Sequence, residues 1–527
     1  MPSDCSTLIR GLLPVFLIYG GIRLFFWWVA FPNPDEAYYW LWGQHLAWSY
    51  YDHPPLIAWV QALFTALFGR STVVLRLPNL LTNGLLFYLY YQICRYLYGP
   101  AAVKYWGVTI AMLLASPLYF LFLGLAWPDH LLMLLTLTGC FSLITFLDRY
   151  GRDKRGETWR LYGAALALGL AWLAKYSGSF VVLGVLIVLL KNQQYRPLLR
   201  DRRLYLAAAI VMLSLAPILI WNLSNHFQSL QYYATRSVNG GSQILKPGEC
   251  LGFIALSIVM FSPVNSYALL RLLRRPDRWV NPNSAYWQVA LSVFWASTGI
   301  LLILSFFSTA LYYWNIAAYL LMLPLLSAFF LRPSRMGDAV GLAAPLFPPA
   351  DNKVFSKPRL FWGGQVYGFL FALLLGIHYA IVPISAWFSG EADPDSRMLY
   401  GWPQVAAAVT LAKQNFPQPP VLVTTDYRSA SALAYELNDR SIIAVSDRVD
   451  QFDFWFGDSK QPKQWRDQVF QGRDAIILSD DWHPLSPELR RQFDLSPPIT
   501  VPIRRWNWWI KNYYIFRAKN RDNKTDS

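Results

Sequence analysis

Apolar residues run along this chain in blocks of roughly 18 to 25, the length a helix needs to cross a bilayer. Hydropathy places spans near 12–31, 75–96, 104–124, 128–147, 161–174, 178–191, 204–221, 251–274, 286–307, 310–331 and 361–388, about eleven transmembrane helices. The blocks 161–174 and 178–191 are short enough to form one kinked helix. Each helix satisfies its own backbone in lipid, so residues 1–388 are expected to form one all-α polytopic membrane bundle.

The polar connections alternate in charge. Arg149, Arg152, Lys154, Arg155 and Arg160 fill one; Lys191, Arg196, Arg200, Arg202 and Arg203 fill the next but one. Arg271, Arg274, Arg275 and Arg278 fill another, and Arg332, Arg335, Lys353, Lys357 and Arg359 the last. Basic loops stay in the cytoplasm. This puts the N-terminus inside and the segment after 388 outside, in an inner or plasma membrane. The Gly/Pro-rich stretch 333–358 reads as a mobile cytoplasmic loop.

Three outward regions, 32–74, 223–250 and 389–527, are too long for plain connectors. The last changes character. "PPVLVTTDYRSASALAYELN" reads as a buried strand and a helix, and "DAIILSDD" and "WNWWIKNYYIFRAK" as further strands, so 389–527 is expected to be a small extracytoplasmic α/β domain.

Composition agrees with a membrane protein, at 55% hydrophobic and 15% charged residues. The net charge of +15 suggests a nucleic-acid partner less than positive-inside topology, because the basic residues sit in short clusters between apolar blocks. Cys5, Cys94, Cys140 and Cys250 lack CxxC or zinc-ligand spacing, so neither a structural disulfide nor a zinc finger is expected. No small-residue cleavage site follows the first apolar block, which reads as a retained helix.

The first outward loop, "FPNPDEAYYWLWGQHLAWSYYDHPPLIAW", carries the densest chemistry. Asn33 can cap a helix with Pro34 at its first position, which puts Asp35 and Glu36 in the first turn, where the helix dipole favours anions. Complementing that dipole is the bland reading of both acids. The aromatic run that follows predicts a helix in the membrane interface, with Trp40, Trp42 and Trp48 as anchors. Asp52 and His53 precede Pro54 and Pro55, a rigid turn.

The segments "PDEAYYW" and "YYDHPPLIAW" resemble the first periplasmic loop of the GT-C glycosyltransferases related to protein O-mannosyltransferases and lipid A aminoarabinose transferases (glycosyltransferase family 39-like). The resemblance continues in the same order through "AWPDHLLML" at 126–134, "GLAWLAKYSG" at 169–178, "PILIWNLSNHFQS" at 217–229 and "LYYWNIAAYLLMLPLL" at 311–326. It implies transfer of a hexose or pentose from a polyprenyl-phosphate donor to an acceptor hydroxyl of a lipid, glycan or protein, with inversion, on the outer face. A hydroxyl is a weak nucleophile and needs a base, whereas a phosphate leaves without an acid.

The resemblance assigns the base to Asp35 and a supporting or metal-facing role to Glu36, the two being interchangeable at this stage. It makes Asp129, after Pro128, a second acidic site, against the alternative of an ordinary helix start. Relatives often carry a lysine where this chain has His53, so a phosphate contact there would be pH-sensitive. Lys175, costly near a membrane, is the natural counter-ion of a lipid phosphate, with snorkelling as the plain alternative. Arg236 is a further phosphate candidate, and Asp52, His130 and His226 are supporting ones.

The acids and histidines of this side are types that bind divalent cations, but their spacing is too loose to define a site; activity is expected without a required cofactor, a divalent metal being the alternative. No Gly-rich loop or P-loop lysine points to a nucleotide donor. Two other classes compete: a lipid-sugar transporter or flippase, disfavoured because the acids collect in outer loops and no internal repeat is visible, and a non-catalytic membrane scaffold. No β-trefoil insertion is visible, which tilts the acceptor toward a lipid or glycan.

Overall fold

The computed structural model of the protein describes residues 2–238, 245–331, 355–394, 396–457 and 465–521. Residues 333–354 of the expected cytoplasmic loop lie outside the described residues. The chain divides into two compact units, one of Met1–Leu24, Asn79–Leu219 and Tyr233–Leu373, the other of Phe25–Pro78, Ile220–Tyr232 and Leu374–Ser527.

Nine helices open the chain: α1 (Pro2–Val29), α2 (Pro34–Gln44), α3 (Leu56–Phe68), α4 (Thr72–Tyr98), α5 (Ala102–Leu114), α6 (Pro117–Phe122), α7 (Asp129–Asp153), α8 (Thr158–Ala174) and α9 (Gly178–Lys191). Among the described residues, five helical stretches are long and apolar enough to cross a membrane, or up to eight if each of three bent pairs is one span. The protein is therefore a multi-pass membrane protein, mostly helical.

Several of the eleven blocks expected from hydropathy are interrupted rather than straight. Residues 104–124 break between α5 and α6, and 251–274 turns through 105° at Ser262, whose φ is 82°. The pair Tyr312–Tyr319 and Leu323–Phe330 bends by 73°, and Arg202–Ser214 and Ala216–Ser224 by 45°. The stretch Thr72–Leu114 is a hairpin and no single rod. Trp106 Nε1 donates to Phe87 O at 2.8 Å, and the Tyr98 and Tyr105 rings stack at 3.7 Å, which only antiparallel α4 and α5 permit. Small residues bring helices of this unit close. A Cβ at Gly184 of α9 would lie 2.6 Å from Val293 Cα on helix Ala285–Ser305.

In the other unit, α2 and α3 accompany a six-stranded sheet. Its strands are β1 (Val421–Thr424), β2 (Ile443–Ala444), β3 (Ala475–Asp480), β4 (Phe493–Leu495), β5 (Ile499–Arg505) and β6 (Trp508–Asn520), in the order β2-β1-β3-β6-β4 with β5 also on β6. β1 runs parallel to β2 and β3, and β6 antiparallel to β3, β4 and β5. β3 is buried at every position, as its unbroken apolar run requires. Val421, Val423, Ile443, Ile477, Phe470 and Phe493 form the core of this sheet. The strands expected from "VLVT", "AIILSD" and the aromatic run are β1, β3 and β6.

Cys94, Cys140 and Cys250 are buried and free.

Candidate active site

The first outward loop folds as its local residues dictate. Asn33 Oδ1 accepts from Asp35 N at 3.0 Å, and Asn33 N donates to Glu36 Oε2 at 2.8 Å, closing a capping box with Pro34 at the first helical position. The two acids then part company. Glu36 is fully buried and takes a two-pronged bond from Arg76, Nε to Oε1 at 2.9 Å and a terminal nitrogen to Oε2 at 2.7 Å. Asp35 stays partly exposed, and its charge reaches Tyr427 and Arg428 at the start of helix Tyr427–Leu437. Burial alone would lower the Arg428 guanidinium, but the charges of Asp426, Tyr427 and Asp35 outweigh it and raise it.

Trp40 and Trp42 are not interfacial anchors. They are 1% and 0% exposed, because α2 lies between α3 and helix Tyr427–Leu437. Trp40 meets the Tyr435 ring edge-on at 5.2 Å, and Trp42 stacks on Tyr50 at 4.4 Å. Trp48 is 59% exposed.

Asp52 is buried and held from both sides. Tyr38 Oη donates to its Oδ2 at 2.7 Å and Arg448 to its Oδ1 at 3.1 Å. Burial, with the charges of Asp52 and Asp450, keeps the Tyr38 hydroxyl well above its ordinary value, so it remains a donor. The same hydroxyl accepts from Gln451 N at 3.0 Å. His53 lies 5.9 Å from the Tyr39 ring and 6.5 Å from that of Trp42. His226, at φ 51°, is exposed.

The other unit holds Asp129 and Lys175. Asp129 is the first residue of α7, and Lys175 sits in an extended conformation at the break between α8 and α9. Lys175 Nζ donates to both Asp129 oxygens, at 2.7 and 2.8 Å, and lies 4.8 Å from the Tyr313 ring centroid. Their side chains are 1% and 8% exposed, so this is a desolvated ion pair. His130, also fully buried, lies 3.0 Å from Thr82 Oγ1 through its Nδ1. Arg236 lies on helix Gln228–Val238, with its side chain outside the described residues.

Arg76, Arg448, Tyr427, Arg428 and Tyr313 escaped the reading of the sequence. Arg76 carried a usable signal, as a lone charge inside the apolar run "VVLRLPNLL". Arg448 carried none, lying 396 positions from Asp52, and nothing local joined Arg428 to the distant Asp35. Among the described residues, no three His, Cys, Asp or Glu side chains gather to hold a metal ion.

Residues 52–221 match the family of dolichyl-phosphate-mannose-protein mannosyltransferases. The chain is 28% identical over 331 residues to the lipid A galacturonosyltransferase RgtD of Rhizobium johnstonii, covering 60% of this chain and 65% of that protein. It is 25% identical over 290 residues to the lipopolysaccharide core galacturonosyltransferase RgtB of the same organism, covering 52% and 56%. The chain thus spans less than two thirds of the length of the curated relatives it matches. In structure it resembles ArnT from Cupriavidus metallidurans bound to undecaprenyl phosphate, with a TM-score of 0.61 at 14% identity over 97% of each chain. The apo form of that protein gives 0.59 at 14% identity, over 95% of this chain and 97% of that one. Fold and sequence likeness thus point the same way: the chain shares the fold of ArnT, and over part of its length it is similar to the dolichyl-phosphate-mannose-protein mannosyltransferases and to the lipid A galacturonosyltransferase.

Proposed function

We propose that the protein is an inverting glycosyltransferase that moves a sugar from a polyprenyl-phosphate donor to an acceptor hydroxyl on the outer face of the membrane. The observation that carries this reading is the division of labour between neighbouring acids. Glu36 is occupied by Arg76 and the cap of α2, which makes it a positioning group, while Asp35 remains partly exposed. Asp35 takes the proton from the acceptor hydroxyl as that oxygen bonds the anomeric carbon. The bond from that carbon to the phosphate oxygen breaks, and its electron pair leaves with the polyprenyl phosphate.

Lys175 is assigned to the donor phosphate, with Asp129 as the carboxylate that holds it until the lipid arrives. His53 and Arg236 are further candidates for that phosphate, and Asp52, fixed by Tyr38 and Arg448, shapes the loop. The relatives' names support a uronic acid as one donor sugar to try and lipid A or a lipopolysaccharide core as acceptors to try. ArnT crystallised with undecaprenyl phosphate supports a lipid carrier of that class.

The test is turnover by purified full-length protein in lipid, with a panel of undecaprenyl-phosphate sugars and lipid A as acceptor. Turnover that falls by about 10²- to 10⁴-fold in Asp35→Asn, at unchanged melting temperature, supports the base assignment. Full activity in that variant rejects it.

A further inference from the structure

Within the unit that contains Asp35, a cavity of about 540 Å³ opens where α2 ends, beside α3 and the end of helix Tyr427–Leu437. Trp40, Ala62 and Ala66 supply apolar lining, and Gln44, Arg70, Asn438 and Arg440 supply polar lining. Two guanidinium groups therefore meet one space whose lining holds no carboxylate. Arg70 is held in place, for it donates to Tyr435 O and lies 4.9 Å from the Tyr435 ring centroid. One of its N–H donors is used in this way, and the others of the fork are left for a ligand. The Arg440 guanidinium forms no hydrogen bond or ion pair among the described residues. An arginine at a helix C-terminus is also an ordinary complement of the helix dipole. That accounts for Arg70, which bonds a carbonyl in the last turn of helix Tyr427–Leu437, but not for Arg440, whose side chain bonds none.

The cavity borders an apolar surface. Leu63, Leu67 and Phe68 of α3, and Leu46 just beyond α2, are all more than half exposed. In a multi-pass membrane protein, such a helix face lies in lipid at the interface. A ligand in the cavity thus meets cationic groups at its head and an apolar helix at its flank, which fits an anionic lipid. The position of Asp35 selects which lipid. Asp35 stands in the first turn of α2 and Gln44 at its last residue, about 14 Å apart along the axis. A glycan headgroup gripped at the cavity can therefore present a hydroxyl to Asp35, the group assigned to take the acceptor's proton. The donor phosphate is assigned to Lys175, which leaves this second basic site for the acceptor.

We propose that this cavity is the acceptor's anion site, where Arg70 and Arg440 bind an acidic group on the headgroup of an anionic glycolipid. This deepens the glycosyltransferase reading above and rests on it. Gln44 and Asn438 line the same space and supply neutral hydrogen bonds to the headgroup.

The experiment is native mass spectrometry of the full-length protein in neutral detergent, titrated with bisphosphorylated lipid A. The double variant Arg70→Gln, Arg440→Gln is expected to bind this lipid about tenfold or more weakly than wild type. Dephosphorylated lipid A binds the wild type equally weakly and does not distinguish the two proteins. Arg440→Gln alone, which breaks no bond within the protein, also weakens binding, as a role confined to the helix ends would not. Undecaprenyl phosphate binds both variants as it binds the wild type. In turnover, the double variant raises the KM for lipid A with little change in kcat. Displacement of lipid A by an equal concentration of phosphatidylglycerol makes this a general lipid site, and displacement by inorganic phosphate a free-phosphate site; either overturns the inference. So does an absence of lipid A binding, wild-type binding in the double variant, or an equal loss of undecaprenyl phosphate binding. A wild type that binds lipid A through these arginines but transfers no sugar counts instead against the glycosyltransferase reading.

Discussion

Glu36 and Arg76 face each other as a fork on a fork, with neither side chain more than 1% exposed. The same guanidinium donates to Ala30 O at 3.1 Å and Phe31 O at 3.3 Å, carbonyls just past the end of α1. One arginine of α4 therefore joins the end of α1 to the start of α2. Arg76→Met leaves a buried carboxylate unpaired and is expected to cost about 3–5 kcal/mol. Arg76→Lys recovers little of it, because an ammonium cannot reproduce the fork. Thermal unfolding of the purified variants checks this, and a wild-type melting temperature in Arg76→Met refutes it.

The pair of Asp129 and Lys175 makes a prediction with opposite signs. If Asp129 holds Lys175 for the lipid phosphate, Lys175→Met weakens binding of undecaprenyl phosphate by about tenfold or more, while Asp129→Asn, which removes the competing carboxylate, leaves binding intact or tighter. Binding is read as the thermal shift produced by the lipid. Equal weakening in both variants makes the pair purely structural.

The end of the sheet predicts a pH window. Burial would lower the His483 imidazolium, but its hydrogen bond to Asp480 and the charges of Asp426 and Asp480 outweigh burial and raise it. Burial would raise the Asp480 carboxyl, but the bonds from His483 and Lys511, the latter at 2.7 Å, hold it well below its ordinary value. A raised histidine contributes stability below its unfolded value of about 6.5 and loses it as the pH climbs through its folded value. A depressed carboxylate contributes above about 3.9 and loses it as the pH falls through its folded value. Both contributions are present between about pH 4 and 6.5. Unfolding temperature is expected to drop between pH 6 and pH 8.5, and to drop less in His483→Gln. An equal drop in the two proteins would show that His483 is not the titrating group.

Gly43 sets how closely α2 approaches α3. A Cβ there would lie 2.9 Å from Ala62 N and 3.0 Å from Ala58 O, both backbone atoms that cannot step aside. Gly43→Ala is expected to destabilise by about 1–3 kcal/mol through overpacking. It should disturb Asp35 as well, seen as reduced turnover after correction for the amount of folded protein. A variant with wild-type stability contradicts the close approach.

What was legible in the sequence was local or repetitive. The cap at Asn33, the proline after it and the acids in the first turn are all decided within four residues, and the structure has them as read. Hydropathy located apolar blocks but not their breaks, since a bend at Ser262 or between α5 and α6 costs no hydrophobicity. The burial of Trp40 and Trp42 depends on Tyr435 and Tyr50, and only Tyr50 is near in sequence. Asp129 and Lys175 were each visible as unusual residues, but 46 positions separate them and nothing in the pattern joined them. Arg23 and Arg76 stand out as lone charges in apolar runs, but the pattern names no partner for either.

β6 has a consequence for the order in which the protein is made. It is synthesised after the other five strands, yet it is the strand to which β3, β4 and β5 all bond. Until it emerges, β3 has an open edge and β4 and β5 have nothing to pair with. Helices close on local contacts as they appear, whereas this sheet must wait for its final strand. Assembly of the sheet is therefore expected to trail insertion of the membrane helices, with the unpaired edge of β3 exposed to chaperones in the interval.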